Sequence, residues 1–453
     1  MARVKKEAAL TPEERLQAAL VPDWEWPYKL PENWCWTYLT KVAECLDNFR
    51  KPINATERAG RIGNIPYYGA TGQVGWIDDF LTDENLVLLG EDGAPFLDLI
   101  KDKAYLISGK AWVNNHAHIL RSPFGDTGNR YLLHYLNSFN YVGYVNGTTR
   151  LKLTQASMDT IPIPLPPLSE QQRIVDRIES LFAKLDEAKE KAQTVVDSFE
   201  TRKAAILHKA FTGELTAKWR EEHGLRMESW KKRHINEVAR PRAGYAFDSK
   251  KFTNTGYQVI RMGNLYGETL DLFRKPVFIS EDDVDDSILN RALIKDGDIL
   301  ITLTGTKYKR DYGYAVCVSS PNKLLVNQRI LCLTPFACVE RNYLLYYLKS
   351  NLFRDVFFSC ETGGVNQGNV SSKFVENIEI PIPTFDEQLE ITTVLDRTLA
   401  HEQQAKEAAE AVLAQIDLMK KSILARAFRG ELGTNDPAEE SAVELLKRVL
   451  REE

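Results

Sequence analysis

Parts of this chain occur twice at a constant spacing, and that duplication limits what it can fold into more than any other feature. Residues 161–182 read IPIPLPPLSEQQRIVDRIESLF, and residues 380–399 read IPIPTFDEQLEITTVLDRTL. Further on, ILHKAFTGEL (206–215) recurs as ILARAFRGEL (423–432). The offset is 217 at Glu170-Gln171/Glu387-Gln388 and again at Phe211/Phe428. An unchanged offset requires intervening segments of equal length, as one rigid element would have. A weaker match at offset 196 joins Glu32-Asn33-Trp34 to Glu228-Ser229-Trp230, and Val42-Ala43 to Val238-Ala239. The repeat unit is a variable block followed by a fixed helical block.

The fixed block carries a heptad seam. In the first copy it runs through Ile174, Ile178, Leu181, Leu185, Ala188, Ala192, Val195, Phe199 and Ile206, with Arg202 the one polar member. In the second it runs through Ile391, Leu395, Thr398, Glu402, Ala405, Ala409, Val412, Ile416, Met419 and Ile423. Alternating steps of four and three predict a coiled coil. Pro166-Pro167 and Pro383 stop the pattern upstream, Ser169 and Asp386 are the expected N-caps, and Gly213 and Gly430 end it. Each helix is then about 42 residues, roughly 60 Å long. Eight acidic and eight basic residues between 169 and 210 exclude a basic DNA-binding helix. Two copies in one chain suggest an antiparallel pair with a globular domain at each end. Thr398 and Glu402 weaken the second seam, which predicts fraying or a covering partner there.

The expected organisation is α+β. It comprises an N-terminal helical arm (1–27), a first mixed domain (28–164) and a coiled-coil helix (165–213), then a second mixed domain (214–383), a second helix (384–430) and a helical tail (431–453). Thr11-Pro12-Glu13-Glu14 is a capping box that starts a short helix, and Asp436-Pro437 starts another running to about Leu450. Both arms should pack on the bundle or on a partner. Each mixed domain reads as short strands with Gly/Asp turns plus one helix, near 129–139 and near 341–358.

Seven polar strings stand where strands should end. In the first block they are Tyr67-Tyr68-Gly69-Ala70-Thr71-Gly72-Gln73, Lys110-Ala111-Trp112-Val113-Asn114-Asn115-His116, and Thr148-Thr149-Arg150-Leu151-Lys152. In the second they are Arg261-Met262-Gly263-Asn264, Thr304-Gly305-Thr306-Lys307-Tyr308-Lys309-Arg310, Asn327-Gln328-Arg329, and Asn366-Gln367-Gly368-Asn369. Asn, Gln, Arg and Lys read base edges bidentately, although Asn and Gly also serve ordinary turns. The DNA-contact set expected from these strings is Tyr67, Tyr68, Gly69, Thr71, Gln73, Lys110, Trp112, Asn114, Asn115, His116, Arg150, Lys152, Arg261, Asn264, Thr304, Lys307, Lys309, Arg310, Asn327, Gln328, Arg329, Asn366, Gln367 and Asn369. Residues 229–383 hold 21 Lys/Arg against 17 Asp/Glu, a net of +4 in a chain of −5, whereas the first block is near neutral.

Catalytic readings find no support. The chain has no G-x-x-x-x-G-K-[ST] loop, no G-x-G-x-x-G and no [DN]-P-P-[YF] element. His116 and His118 lack a nearby carboxylate or cysteine to complete a metal site, and Glu187-x-Lys189 reads as a solvated helix face. The six cysteines form no C-x-x-C pair, no run approaches about 20 apolar residues, and residues 1–20 lack an apolar core. A reduced, cytoplasmic protein without a resident metal or cofactor is expected.

The IPIP-x-E-Q hinge, the duplicated heptad helix, the AF-x-GEL endings and two dissimilar blocks resemble the DNA-specificity subunit of a Type I restriction–modification enzyme. YYGATG, GEDGAP (90–95) and VNNHAH (113–118) look like one type of target recognition domain; VIRMGN, GDILIT and VNQ look like another. The resemblance covers residues from about 10 to 440. It implies a non-catalytic subunit whose two recognition domains each read half of an asymmetric, split DNA site. The paired helices would act as a ruler. Two methylation subunits would supply S-adenosylmethionine and adenine methylation, and two restriction subunits would use ATP and magnesium. A recognition subunit of a nuclease-free methyltransferase system stays open as the alternative.

Overall fold

The structure, a computed structural model, describes residues 11–364 and 366–452; residues 1–10 of the expected arm and Glu453 of the tail lie outside the described residues. It divides into two compact units, Met1–Gln193 with Glu410–Glu453, and Thr194–Ala409. Each unit therefore holds one variable block, the start of one long helix and the end of the other.

The fixed segments are helical as the heptads require: Leu168–Asp197 and Phe199–Phe211 in the first copy, Phe385–Phe428 in the second. The first copy breaks at Ser198, whose hydroxyl donates to the Thr194 carbonyl. Such back-bonding competes with the helix ladder and bends it. The caps differ from expectation. Phe385–Phe428 is capped by Thr384, whose hydroxyl accepts from the Glu387 N–H at 3.4 Å, so Asp386 already lies inside the first turn. Ser169 is likewise inside its helix and donates to Glu439 at 2.6 Å. Gly213 and Gly430 follow the helix ends with φ of +82° and +72°, the left-handed turn that favours glycine.

Each unit shows the helices running in opposite directions. In the first, Asp186 pairs with Lys420 at 2.6 Å and Lys189 with Asp417 at 4.0 Å, so the second helix counts down as the first counts up. In the second, Phe199 lies under Lys406 and Arg202 pairs with Glu402 at 2.7 Å. Arg202, the one polar member of the first seam, thus meets Glu402 of the second. Glu402 is an ion-paired member of the seam, not a point of fraying. Ile174, Ile178, Phe199, Ile391, Leu395 and Ile416 are buried, and Leu181, Leu185 and Val195 are half-buried. Val412 is 44% exposed and leaves the seam.

The repeated motifs interlock by one scheme in both units. The IPIP segments are strands, Pro162–Leu165 against Cys35–Tyr38 and Glu379–Ile382 against Lys231–His234, both antiparallel. A helix in each block points two phenols at that strand. Tyr131 donates to the Pro164 carbonyl and Tyr135 to that of Pro162; Tyr343 and Tyr347 donate to those of Pro381 and Glu379. The AF-x-GEL phenylalanine of the other long helix packs edge-on against the same rings, Phe428 on Tyr131 and Tyr135, Phe211 on Tyr343 and Tyr347. The hinge glutamates are fully buried. Glu170 accepts from the Trp34 indole at 2.7 Å, Asn435 at 2.8 Å and Thr434 at 3.2 Å. Glu387 accepts from the Trp230 indole at 2.9 Å and Thr216 at 2.7 Å, and pairs with Arg220.

The variable blocks, unlike in sequence, share a topology. In the first, Glu44–Cys45, Ala117–Arg121, Leu86–Gly90 and Ala104–Ile107 form one sheet in that order; in the second, Ala239–Ala243, Ile330–Pro335, Ile299–Thr302 and Ala315–Cys317 do. A second sheet in each contains one parallel pair, Ile65–Gly69 with Lys110–Val113 and Tyr257–Ile260 with Leu324–Val326. The expected helix near 341–358 is two, Arg341–Lys349 and Asn351–Ser359, because the Ser350 hydroxyl caps the second by accepting from Phe353 N–H. In the terminal arms, Pro12–Ala19 has the expected capping box, but the tail helix begins at Ala442 rather than Asp436. Ahead of it Asp436–Glu439 form a turn, with Glu439 N–H donating to the Asp436 carbonyl at 3.1 Å, anchored by Asn33, which donates to that same carbonyl, and by the Arg173–Glu439 pair. Among the described residues no helix is long and apolar enough to cross a membrane.

Candidate nucleic-acid interface

The parallel pair in each block ends on two of the polar strings. Asn114 N–H donates to the Tyr68 carbonyl at 3.1 Å, and Asn327 N–H donates to that of Ile260 at 3.0 Å. Each asparagine then accepts from the residue two further on, Asn114 from His116 N–H and Asn327 from Arg329 N–H. The carbonyls of those residues accept from a third segment: His116 from Glu91 N–H at 2.8 Å, Arg329 from Leu303 N–H at 3.0 Å. That segment in turn accepts from a fourth, Glu91 from Leu153 N–H and Leu303 from Val370 N–H. Four loops converge in each block through the same backbone bonds. Asn114, Asn115 and His116 of one block therefore correspond to Asn327, Gln328 and Arg329 of the other.

In the second block the convergence forms a groove. Arg261, Met262, Gly263, Asn264, Arg274, Lys275, Asn327, Gln328 and Arg329 line a cleft of about 480 Å³. An adjoining cleft of about 410 Å³ shares Met262, Gly263, Arg274 and Arg329 and adds Thr304, Asn366 and Gln367, among others. Arg261, Arg274, Lys275 and Arg329 form no ion pair among the described residues, which leaves positive charge facing the groove. Lys307 and Lys309 are also without ion pairs there; the Lys307 ammonium donates to the Gly363 carbonyl at 3.1 Å, while Arg310 pairs with Asp355 at 3.0 Å. Asn369 pairs with Thr304 across a short antiparallel ladder.

The first block is different in charge. His116 and Arg150 both meet Asp92, at 2.6 and 2.8 Å, and Lys152 meets Glu91 at 3.0 Å. Burial alone would raise Glu91, but hydrogen bonds from Lys152 and Arg50 outweigh it and hold its carboxyl below the usual range. Thr71 and Gln73 are exposed at the tip of the Ile65–Gly69/Gly72–Ile77 hairpin, Asn115 and Lys110 are exposed, and Tyr68 is half-buried against Tyr105. The Gly69 carbonyl accepts from the Tyr105 hydroxyl.

Several expected contact residues are interior instead. Tyr67 and Trp112 are core side chains, the Trp112 indole donating to the Lys51 carbonyl at 2.8 Å. Asn264 is 2% exposed and all its polar atoms are engaged, accepting from Arg261 N–H and donating to the Asp271 and Arg274 carbonyls. Asn114 and Thr304 are buried too. These side chains brace the loops rather than face outward, because polar groups at buried strand ends must be satisfied. The sequence reading missed Arg50, Glu91, Asp92, Arg274 and Lys275. The alternation of acid and base at Arg50/Glu91 and Asp92/Arg150 gives no local signal, since the partners are far apart in the chain. The sequence showed no carboxylate or cysteine near His116 and His118, but the fold supplies them from distant segments: Asp92 to His116, and Cys45 and Asp47 to His118, the last three bringing ligand-type atoms within 4.8 Å of one another. Both His118 ring nitrogens are already occupied, by Asp47 at 2.7 Å and the Leu153 carbonyl at 3.0 Å, and burial pushes the Cys45 thiol up to about 11. The three are engaged with the protein itself.

A fold of two like-built mixed domains, each followed by a long helix, with matched loop clusters at the ends of parallel strands, defines a duplicated binding protein. Residues 31–195 and 227–411 each match the family described as the Type I restriction modification DNA specificity domain, and the chain belongs to that family. It is 27% identical to the putative type I restriction enzyme specificity subunit S.HindORF215P of Haemophilus influenzae over 79% of this chain and 86% of that protein. It is 26% identical to the EcoKI specificity subunit of Escherichia coli K12 over 71% of each. The solved HsdS subunit from Thermoanaerobacter tengcongensis superposes with a TM-score of 0.61 at 20% identity, over 90% of this chain and 99% of that one, and shows the shared fold.

Proposed function

We propose that this chain is the DNA-recognition subunit of a Type I restriction–modification complex, with each variable block reading one half of a split, asymmetric site. The observation that carries the reading is the matched convergence of four loops in both blocks at Asn114–His116 and Asn327–Arg329. One scaffold offers two different sets of side chains at corresponding places, which suits two different half-sites. Base edges would meet Thr71, Gln73, Asn115 and His116 in one block, and Gln328, Arg329, Asn366 and Gln367 in the other. Lys110, Arg150, Lys152, Lys307, Lys309 and Arg310 would lie along phosphates. The working boundaries are 28–164 and 214–383 for the recognition domains and 165–213 and 384–430 for the helices. The helices would set the spacing and dock two methylation subunits, which bring S-adenosylmethionine. Two restriction subunits would bring ATP and magnesium chemistry, and the complex would work in the cytoplasm. Methylome sequencing of a host expressing the system tests this: modified adenines should fall in one bipartite motif. Methylation confined to a single uninterrupted motif would overturn it.

A further inference from the structure

The second block builds a loop around a solvated aromatic ring. Phe273 is 92% exposed, at the apex of the segment from Asp271 to Lys275. Isolated apolar residues on a surface are ordinary. The bracing of this one is not. Gln258 donates to the Leu272 carbonyl at 2.6 Å, Asn264 to those of Asp271 and Arg274 at 2.9 and 3.0 Å, and Arg261 to that of Lys275 at 2.7 Å. Phe273 N–H itself donates to the Asp271 carboxylate at 2.9 Å. Lys275, not a glycine, sits at φ +46°, a strained conformation that persists only when surroundings impose it. Exposed loops are usually mobile; here three polar side chains hold the backbone on either side of the ring. They include Arg261 and Asn264, which the sequence suggested as DNA contacts.

The neighbours state what the ring meets. Arg274 and Lys275 line the same cleft as Arg261, Gln328 and Arg329, and these cations carry no ion pair among the described residues. An apolar tip flanked by cations that form no ion pair among the described residues suits a polyanion whose interior is a stack of flat apolar rings. We propose that Phe273 is a wedge that enters the base stack of the DNA at the edge of the second half-site, with Arg274 and Lys275 on the flanking phosphates. Apolar side chains unstack a base step in this way, and the distortion makes the step's deformability part of the readout. Asn264, Arg261 and Gln258 are then positioning residues for the wedge. The inference rests on the DNA-recognition reading above.

The test uses the assembled complex with its methylation subunits and duplexes carrying the methylome-defined site. 2-Aminopurine is placed at successive positions through the second half-site and its flanks. The wild-type complex should raise fluorescence at one step beside the half-site, separately from the signal of the flipped target adenine. Phe273→Ala should lose the first signal, keep the second and bind about tenfold more weakly. Phe273→Leu, still an apolar wedge, should retain most of the first. Identical profiles for wild type and Phe273→Ala would overturn the wedge, as would loss of the methylation subunits from the Phe273→Ala complex, which would make the ring a subunit contact. Failure of the underlying reading would look different: the wild-type complex would select no DNA sequence at all.

Discussion

At the scale of single residues, the duplication hides an asymmetry in charge. Glu170 and Glu387 occupy equivalent positions, but only Glu387 has a buried cation, Arg220, against it. Burial dominates at Glu170 and raises its carboxyl pKa despite bonds from Trp34, Asn435 and Thr434. A group with a raised folded value binds its proton more tightly when folded. Its stabilising contribution is therefore present below the ordinary carboxylate value and lost as pH rises through the raised one. Thermal melting against pH should show that fall in wild type and not in Glu170→Gln, whose amide oxygen still accepts from Trp34. Glu387→Ala should be far more damaging, by about 3–5 kcal/mol, since it strands the Arg220 charge in the interior; denaturant titration measures it. In the Thr304–Arg310 string, Lys307 and Lys309 form no ion pair among the described residues. Replacing both by Ala should weaken binding to all sequences alike and flatten the salt dependence by up to about 2 units. An unchanged slope in salt titrations would remove them from the interface.

At the scale of elements, the register of the long helices decides where they can be altered. Asp186 faces Lys420 and Lys189 faces Asp417, so the point opposite Ala188 on the second helix lies next to Asp417. Seven residues inserted after Ala188 and seven after Asp417 would keep the seam in phase and the flanking pairs intact. The pair should lengthen by about 10 Å. With DNA rising ~3.4 Å per base pair, methylation should move to sites whose spacer is about three base pairs longer. The added twist will weaken activity, given ~10.5 base pairs per turn. Sequencing of modified adenines reads the outcome; methylation kept only at the original spacing would mean that the helices do not set it.

At the scale of the whole molecule, each recognition block enters and leaves the fixed part through one short antiparallel ladder, beside which its tyrosine pair packs on the long helices. In the second unit Lys231–His234 pairs with Glu379–Ile382, and Ile235 N–H donates to the Ile378 carbonyl at 3.0 Å just inside it. Exchanging residues 235–378 for another such domain leaves that ladder, the Tyr343 and Tyr347 acceptors and the Glu387 cluster native. The exchange should change one half-site of the methylated motif and leave the other untouched. A change in both would show that the blocks do not read independently.

The sequence alone determined the duplication, the two long helices and the family they resemble, because heptads, prolines and equal offsets are local patterns; it only suggested the opposed pairing, which the Asp186–Lys420 and Arg202–Glu402 pairs establish. It also marked the loops that matter. Only the tertiary structure decided which of their residues face outward. Asn264 and Asn327 look alike in a string, yet one braces a neighbouring loop and the other closes an Asx turn beneath the exposed Gln328 and Arg329. The difference depends on strands paired across more than sixty residues, Ile260 beside Val326, which no nearby residue records. The same holds for Arg202 and Glu402, read separately as flaws in two seams and joined at 2.7 Å only by the antiparallel fold.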